Sequence, residues 1–326
     1  MKIKIIGTES LGVRGLCCFI LLNNRKVLID PGISLGWNRH GYLPHPFQIA
    51  VGAQIRNKIR KAFDQATDVV FSHFDGDHVP LSNANPYQLD LNDVKASLAQ
   101  CKVWAKGAEV SSNLEKKRRQ ALEQAVNREL SPVDGQIVEN INFSNPMPHG
   151  LRNIEAASIM MTRIEEDGEV FVHASDHQFL SEDSIEQIIA WHPDIVLTSG
   201  PPFYLSILSN AQRIKAKRNA VRLSRHVKTT IIDHHLLREE AGLNWLREIA
   251  AESGNRVVCA AEFMGQQPLL LEAWRGKLYE WIPVPNGWHD SYVPGKVDLS
   301  AYLQKGWDVL TRMGMINTYS DSQEGS

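Results

Sequence analysis

Between Val69 and Leu81 the chain reads VVFSHFDGDHVPL. An apolar run stops at Ser72, and the next six residues place His73, Asp75, Asp77 and His78 around a single glycine, Gly76. Imidazole nitrogen and carboxylate oxygen are the donors that Zn, Fe and Mn take. Gly76 is expected to let the backbone turn tightly, so that side chains on both sides of it converge. A polar turn with an incidental histidine would not need four such donors in so short a span. A calcium EF-hand loop is excluded: position twelve counted from Asp75 is Pro86, where a bidentate glutamate is required.

One cluster does not complete two metal shells, and further donors stand alone at predicted strand ends. Asp30 closes KVLID, and His149 sits in NPMPHG before Gly150. Asp176 follows EVFVHAS, and His234 and His235 follow TTIID. Singly, each is the kind of residue that caps a strand or meets solvent. Together they share one placement, just past a strand, which is how a fold aims several side chains at one point.

The elements that must position them follow from apolar runs and breakers. KIKII (2–6), CCFILL (17–22) and KVLID (26–30) read as short strands, with LNNRK as a hairpin turn. Pro31 and Gly32 open a polar, Pro/Gly-rich loop. A helix over 50–66 leads to a strand DVVFS (68–72), and helices are expected at 90–99 and 110–130. SIMMTRIEE and EVFVHAS read as a hairpin across Asp167 and Gly168. A helix (181–191), strand DIVLTS (194–199), helix (203–226), strand TTIID (229–233) and helix (236–252) follow. Strand groups interspersed with helices in both halves imply sheets covered by helices. Residues 1–316 read as one domain and the tail 317–326 as disordered.

Composition bounds the class. Lys plus Arg number 35 and Asp plus Glu 37 in 326 residues, a formal net charge of −2, so the chain is not globally built to coat nucleic acid or an anionic membrane. No apolar run approaches the length of a bilayer span. Cys17, Cys18, Cys101 and Cys259 form no Cys-x-x-Cys pair, which excludes a zinc knuckle and gives no disulfide framework. LCCFILL follows Glu9 and Arg14 and lacks a small-residue cleavage site, so it reads as a buried strand rather than a signal-peptide core. A cytoplasmic location is expected.

SHFDGDH resembles the His-x-His-x-Asp-His signature of the metallo-β-lactamase superfamily, and His149, Asp176 and His235 follow in that superfamily's order. Asp30 matches the acid that precedes the signature. The resemblance runs from the first strands to about residue 240. ESLGVRG, LIDPGISLG, HASDHQ, TSGPP and DHHLLRE are similar to an uncharacterised, largely archaeal branch. The resemblance implies an α/β (α+β) fold, a four-layer αββα sandwich with a dinuclear site. On that reading His73, Asp75 and His149 hold one metal, Asp77, His78 and His235 the other, and Asp176 bridges. Asp30 orients the cluster loop, and His234 supports the site or trades places with His235. Two divalent ions are implied, zinc first, with iron or manganese as alternatives. Such a pair lowers the pKa of a bridging water toward ~7, giving hydroxide at neutral pH. Asp77, His234 or His177 would protonate the leaving group.

Asp75 departs from the pattern, since most members carry histidine there. Three carboxylates against two divalent ions leave one positive charge, which a hydroxide cancels, so harder metals are favoured. Flavodiiron reductases share an acid at this position, but no flavin domain has room here. HFDGD followed by DHH also resembles the manganese-binding DHH phosphoesterases. Those fragments lie about 160 residues apart, and that reading leaves Asp30 and His149 unused.

Substrate clues are fewer. Arg14 in SLGVRG could clamp an anion, and the loop after Asp30, which carries Arg39, His40 and His45, is expected to form a pocket wall, with His40 a candidate substrate contact. Residues 211–228 hold seven Lys/Arg and no acid, a run that could meet nucleic-acid phosphates or form a solvated helix face. Trp274, Tyr279, Trp281, Trp288, Tyr292, Tyr302 and Trp307 are expected to pack over outer helices. The expected function is a metal-dependent hydrolase of a phosphodiester, then of a carboxylic ester, lactone or thioester. A di-iron redox protein and a catalytically silent nucleic-acid or partner-binding protein are the alternatives.

Overall fold

The computed structural model describes residues 1–107, 109, 111–150 and 157–317. Near the N-terminus, β1 (Lys2–Gly7) pairs antiparallel with β2 (Cys17–Leu21), and β2 with β3 (Lys26–Ile29). β4 (Asp68–Phe71) and β5 (Lys102–Ala105) extend this sheet in parallel. Val27, Leu28 and Ile29 are inaccessible, as are Val69, Val70 and Phe71. Such unbroken apolar runs belong to strands covered on both faces.

The second sheet contains β6 (Ile137–Val138), β7 (Ile141–Phe143), β10 (Thr162–Glu166), β11 (Glu169–Ala174), β12 (Ile195–Thr198), β13 (Thr229–Ile232) and β14 (Arg256–Val258). Its order is β14-β13-β12-β11-β10-β7-β6, and β11 through β14 run parallel. A separate pair, β8 (Met147–Pro148) with β9 (Ser158–Ile159), interrupts the stretch expected to be one strand, SIMMTRIEE. The hairpin across Asp167 and Gly168 is present between β10 and β11.

The sheets are stitched to each other. His173 Nε2 donates to Leu16 O at 2.9 Å, and Met160 N donates to Ser72 O at 2.9 Å. One hydrophobic cluster runs through both sheets and their helices. Helix α1 (Pro46–Phe63) lies on β1, and α2 (Lys95–Gln100) and α3 (Asn113–Val126) pack together. Helices α4 (Glu182–Ala190), α5 (Asn210–His226) and α6 (Ala241–Ser253) form a second outer layer, with α6 against β14. Shorter helices follow: α7 (Ala260–Phe263), α8 (Arg275–Trp281), α9 (Trp288–Ser291) and α10 (Ser300–Arg312), the last against α1. This is the four-layer αββα sandwich.

Helix limits differ from the sequence reading where caps decide them. Ser209 caps α5 by a reciprocal bond pair with Gln212, so that helix starts seven residues later than the predicted 203. A short 3₁₀ turn, Leu236–Arg238, precedes α6, which was expected to begin at 236. The strands β5 and β14 were not foreseen. The tail expected to be disordered lies, apart from Asn317, outside the described residues.

Helix α1 begins at Pro46 rather than at 50. His45 is its N-cap: the ring Nδ1 accepts from Phe47 N at 3.1 Å, and Pro46 needs no partner in the first turn. The opposite ring nitrogen, Nε2, donates to Ile282 O at 2.8 Å, tying the C-terminal segment to α1. His45 is therefore a structural cap and not a pocket wall. Burial holds its pKa down to about 4, against the raising effect of the Ile282 bond. The unfolded ring titrates near 6.5. Stability is thus full above that pH and is lost as the pH falls toward 4, by about 3 kcal/mol. In His45→Asn, which caps but does not protonate, the stability deficit seen at pH 7 should shrink by that amount at pH 4. Urea unfolding at both values measures it; a deficit independent of pH would refute the assignment.

Candidate metal centre

The register of the parallel strands sets the site. Ala174 pairs with Thr198, and Thr198 with Ile232, so β11, β12 and β13 end level. Asp176, Ser199 and His234 follow directly. On the other sheet Ile29 pairs with Val70, and Asp30, Ser72 and His73 follow. Gly32 lets the loop after β3 touch the cluster turn: a Cβ there would lie 2.2 Å from Val79 N. Gly76 is not in the left-handed region. Its expected role as a sharp turn gives way to clearance, since a Cβ would meet Arg118 Nη2 at 3.2 Å.

Five ring nitrogens converge on the buried Asp176 carboxylate. His149 Nε2 lies 3.0 Å from Oδ2, with His73 Nε2 and His235 Nε2 each at 3.5 Å. Around Oδ1 stand His78 Nε2 at 3.3 Å and His234 Nε2 at 3.5 Å. Ser199 Oγ donates to Oδ1 at 2.8 Å. Among the described residues four compact donor groups result. Two share no residue: His73, Asp75, His149 and Asp176, and then Asp77, His78 and His234. The others overlap them: Asp30, His73 and His78, and Asp176, His234 and His235. The second of the separate pair has His234 where the resemblance implied His235, which stays a donor through the Asp176 group. His234, not His235, meets Asp77, at 3.5 Å, because its backbone enters the left-handed region at the end of β13. His235 turns toward the cavity, with Gln178 at its Nδ1.

What lies behind the rings fixes their protons. Asp30 accepts from Ser72 N (2.8 Å), Ser72 Oγ (2.6 Å), Ser175 Oγ (2.5 Å) and His78 Nδ1 (3.1 Å). Since Ser72 gives its hydrogen to Asp30, its oxygen accepts from His73 Nδ1, at 2.8 Å. His234 Nδ1 donates to Glu9 Oε2 at 2.7 Å. Three rings thus spend their Nδ1 hydrogens on acceptors behind them and aim their Nε2 atoms inward. Among the described residues His73 Nε2 is buried with no hydrogen-bond partner, and His78 Nε2 and His234 Nε2 stand 3.4 Å apart. Imidazoles oriented in this way from behind are what metal sites use. The donor set fits divalent cations.

Charge follows geometry. Burial opposes ionisation of Asp176, yet the imidazoles of His78, His235 and His234 hold it well below the usual carboxylate range. Burial likewise opposes a charge on Asp30, and its bond with His78 outweighs this. His78 is raised well above its ordinary value despite burial, mainly by Asp176. His235 is pushed well down by burial.

Among the expected site residues, His73, Asp75, Asp77, His78, His149, Asp176, His234 and His235 come together, with Asp30 beneath them. Arg14 and His40 do not join. Arg14 forks onto Glu272 at 2.7 and 2.5 Å and is not among the residues lining the cavity beside the cluster, and His40 is exposed on a loop bend. His177 is buried beside Phe179. The cavity beside the cluster, about 230 Å³, is lined by His73, Asp75, His149, His235, Gln178, Tyr204 and neighbours. Sequence reasoning missed Ser72, Ser175 and Ser199, although each follows a strand as the ligands do. It also missed Glu9 and Arg238, which lie within ESLGVRG and DHHLLRE.

No family model matches the chain. The four-layer sandwich and the donor groups at level strand ends resemble those of the metallo-β-lactamase superfamily. The chain belongs to the UPF0282 family. It is 43% identical to the UPF0282 protein of Methanosarcina mazei, over 93% of this chain and 100% of that one. With the Methanopyrus kandleri protein the identity is 32%, over 85% and 99%. Among solved structures it is similar to an isothiocyanate hydrolase from Delia radicum gut bacteria (TM-score 0.45, 13% identity, 79% of this chain and 95% of that one). It is also similar to a diiron β-hydroxylase from Streptomyces venezuelae (TM-score 0.45, 11% identity, 78% and 51%).

Asp30→Ala strips four buried donors of their acceptor at once. Stability should fall by about 3–5 kcal/mol, the usual cost of breaking a buried charged pair. Chemical denaturation monitored by circular dichroism measures it, and a loss under about 1 kcal/mol would mean that the donors find other acceptors.

Proposed function

We propose that this protein is a metal-dependent hydrolase in which the two donor groups hold a pair of divalent cations beside the small cavity. The observation that carries the reading is the inward convergence of three Nε2 atoms whose Nδ1 atoms are tied to Asp30, Ser72 and Glu9. Cations bound there would supply Lewis acidity and an activated water. The chain's own part is to position. His73, Asp75 and His149 face the cavity and Asp77, His78 and His234 lie behind them, with Asp176 between. His235 and Tyr204 project polar atoms at the cavity wall, within reach of a bound oxyanion or leaving group. Zinc is the first choice of metal. Asp75, an added carboxylate, keeps iron and manganese in play.

The cavity volume suits the scissile end of a small molecule, below the usual range for drug-sized ligands. A phosphodiester is the first substrate class, and a carboxylic ester or lactone the second. Nucleic acid is disfavoured as a partner of α5. Lys217 pairs with Glu248 and Glu252, Arg218 with Glu182, Arg222 with Glu186, and Lys228 just beyond the helix with Asp194. Arg213 lies over Phe203, and Arg225 bonds Glu252 O. Each of these cations already has a partner within the fold, although the pairs on Arg218, Arg222 and Lys228 are solvent-exposed. Among the described residues no helix is long and apolar enough to cross a membrane.

Chromogenic phosphodiesters, esters and lactones, each with zinc, manganese or ferrous iron, test the proposal. One class should turn over, a chelator should abolish the rate, and Asp176→Ala should cut it at least a hundredfold. A rate indifferent to both the chelator and the substitution would sink the hydrolase reading.

A further inference from the structure

The second donor group already has a positive neighbour. Arg238 is buried, and each arm of its guanidinium is placed. Nε donates to Glu9 Oε1 at 2.8 Å, and Nη1 to the Tyr204 hydroxyl at 2.8 Å. Nη2 donates to His234 Nε2 at 3.0 Å and lies 3.5 Å from Asp77 Oδ2. His234 has a single inward lone pair, because its Nδ1 hydrogen goes to Glu9. That lone pair is the one a cation would need, and Arg238 is using it. Among the described residues, the first donor group, His73, Asp75, His149 and Asp176, has no such guardian on its ring nitrogens. Arg118 sits outside it, 3.5 Å from Asp75 Oδ1.

We propose that Arg238 is a built-in competitor for the second cation position, so that the two positions differ in affinity by at least tenfold and the protein loads through a one-cation state. The inference rests on the reading that the cluster binds cations. Two physical effects act together. Nη2 occupies the His234 nitrogen that a cation there would need, so the guanidinium would have to withdraw first. Its charge also repels an arriving cation at short range in a desolvated site. Withdrawal is resisted from both sides. Glu9 and Tyr204 hold the other two arms, Tyr204 is stacked under Arg39 (4.9 Å to the ring centroid), and Arg39 Nη2 in turn donates to Arg238 O at 2.9 Å.

The test is a zinc titration of metal-free protein by isothermal calorimetry, with zinc content after dialysis read by mass spectrometry. Wild type should show one tight ion and one at least tenfold weaker. In Arg238→Gln the first should be unchanged and the second should tighten tenfold or more. Glu9→Gln with Arg238→Gln removes both charges together, so no buried carboxylate is left unpaired. It should give the same narrowing of the gap and serves if the single variant does not fold. Two equally tight ions in wild type would overturn the proposal while leaving the metal centre standing. An unchanged gap in a folded variant would overturn it too. Absence of any zinc binding by wild type would instead defeat the metal-centre reading on which it rests.

Discussion

Asp176 buries a negative charge among five imidazoles, and the surrounding structure is arranged so that this charge never goes unpaired. A lone carboxylate at that depth would take up a proton, since burial favours the neutral acid. Here the ring nitrogens outweigh burial. Three of the five rings, those of His73, His78 and His234, are pinned from behind. Asp30 collects the hydrogens of Ser72, Ser175 and His78, and Glu9 takes that of His234. The centre is therefore a nested set of charges: an inner carboxylate, a shell of rings, and an outer pair of carboxylates. Each layer orients the one inside it.

The backbone contributes in a way common to both sheets. Asp30 (φ 46°), Asp176 (φ 50°) and His234 (φ 20°) all leave their strands with positive φ. This region is sparsely used by residues other than glycine, and Asp and His tolerate it better than most. Strain of this kind persists only where the surroundings over-determine it. The surroundings are two sets of parallel strands ending level, joined by the Met160–Ser72 and His173–Leu16 bonds. Three reversals at three strand ends turn side chains from different sheets into one plane of approach.

This explains what could be read from the chain. Buried strands announced themselves as apolar runs, and donors just past them declared their position, because strand ends are where such sheets present ligands. Neighbours were not separable: whether His234 or His235 meets Asp77 depends on a backbone angle, not on residue type. Edge strands of two or three residues, such as β6 and β14, carry too little pattern to register. Arg14 looked like an anion clamp, but Glu272, 258 residues away in sequence, takes its guanidinium. Long-range pairs of that sort, like Glu9 with Arg238, leave no local trace. Only the spacing of Arg238 four residues after His234, across a helical turn, hinted that the arginine folds back on the histidine.

Tyr204 links the centre to its cavity. It lines the cavity wall, while its hydroxyl oxygen accepts from Arg238 and its ring centroid lies 4.9 Å from the Arg39 guanidinium and 5.4 Å from that of Arg238. An oxygen that accepts from a guanidinium must give its own hydrogen elsewhere. No movement that draws Arg238 away from His234 can therefore leave the cavity wall untouched, and a ligand that engages the Tyr204 hydroxyl acts on the same hinge from the other side. Linkage of this kind is reciprocal: if occupancy of the second position alters binding in the cavity, cavity binding alters that occupancy by the same factor.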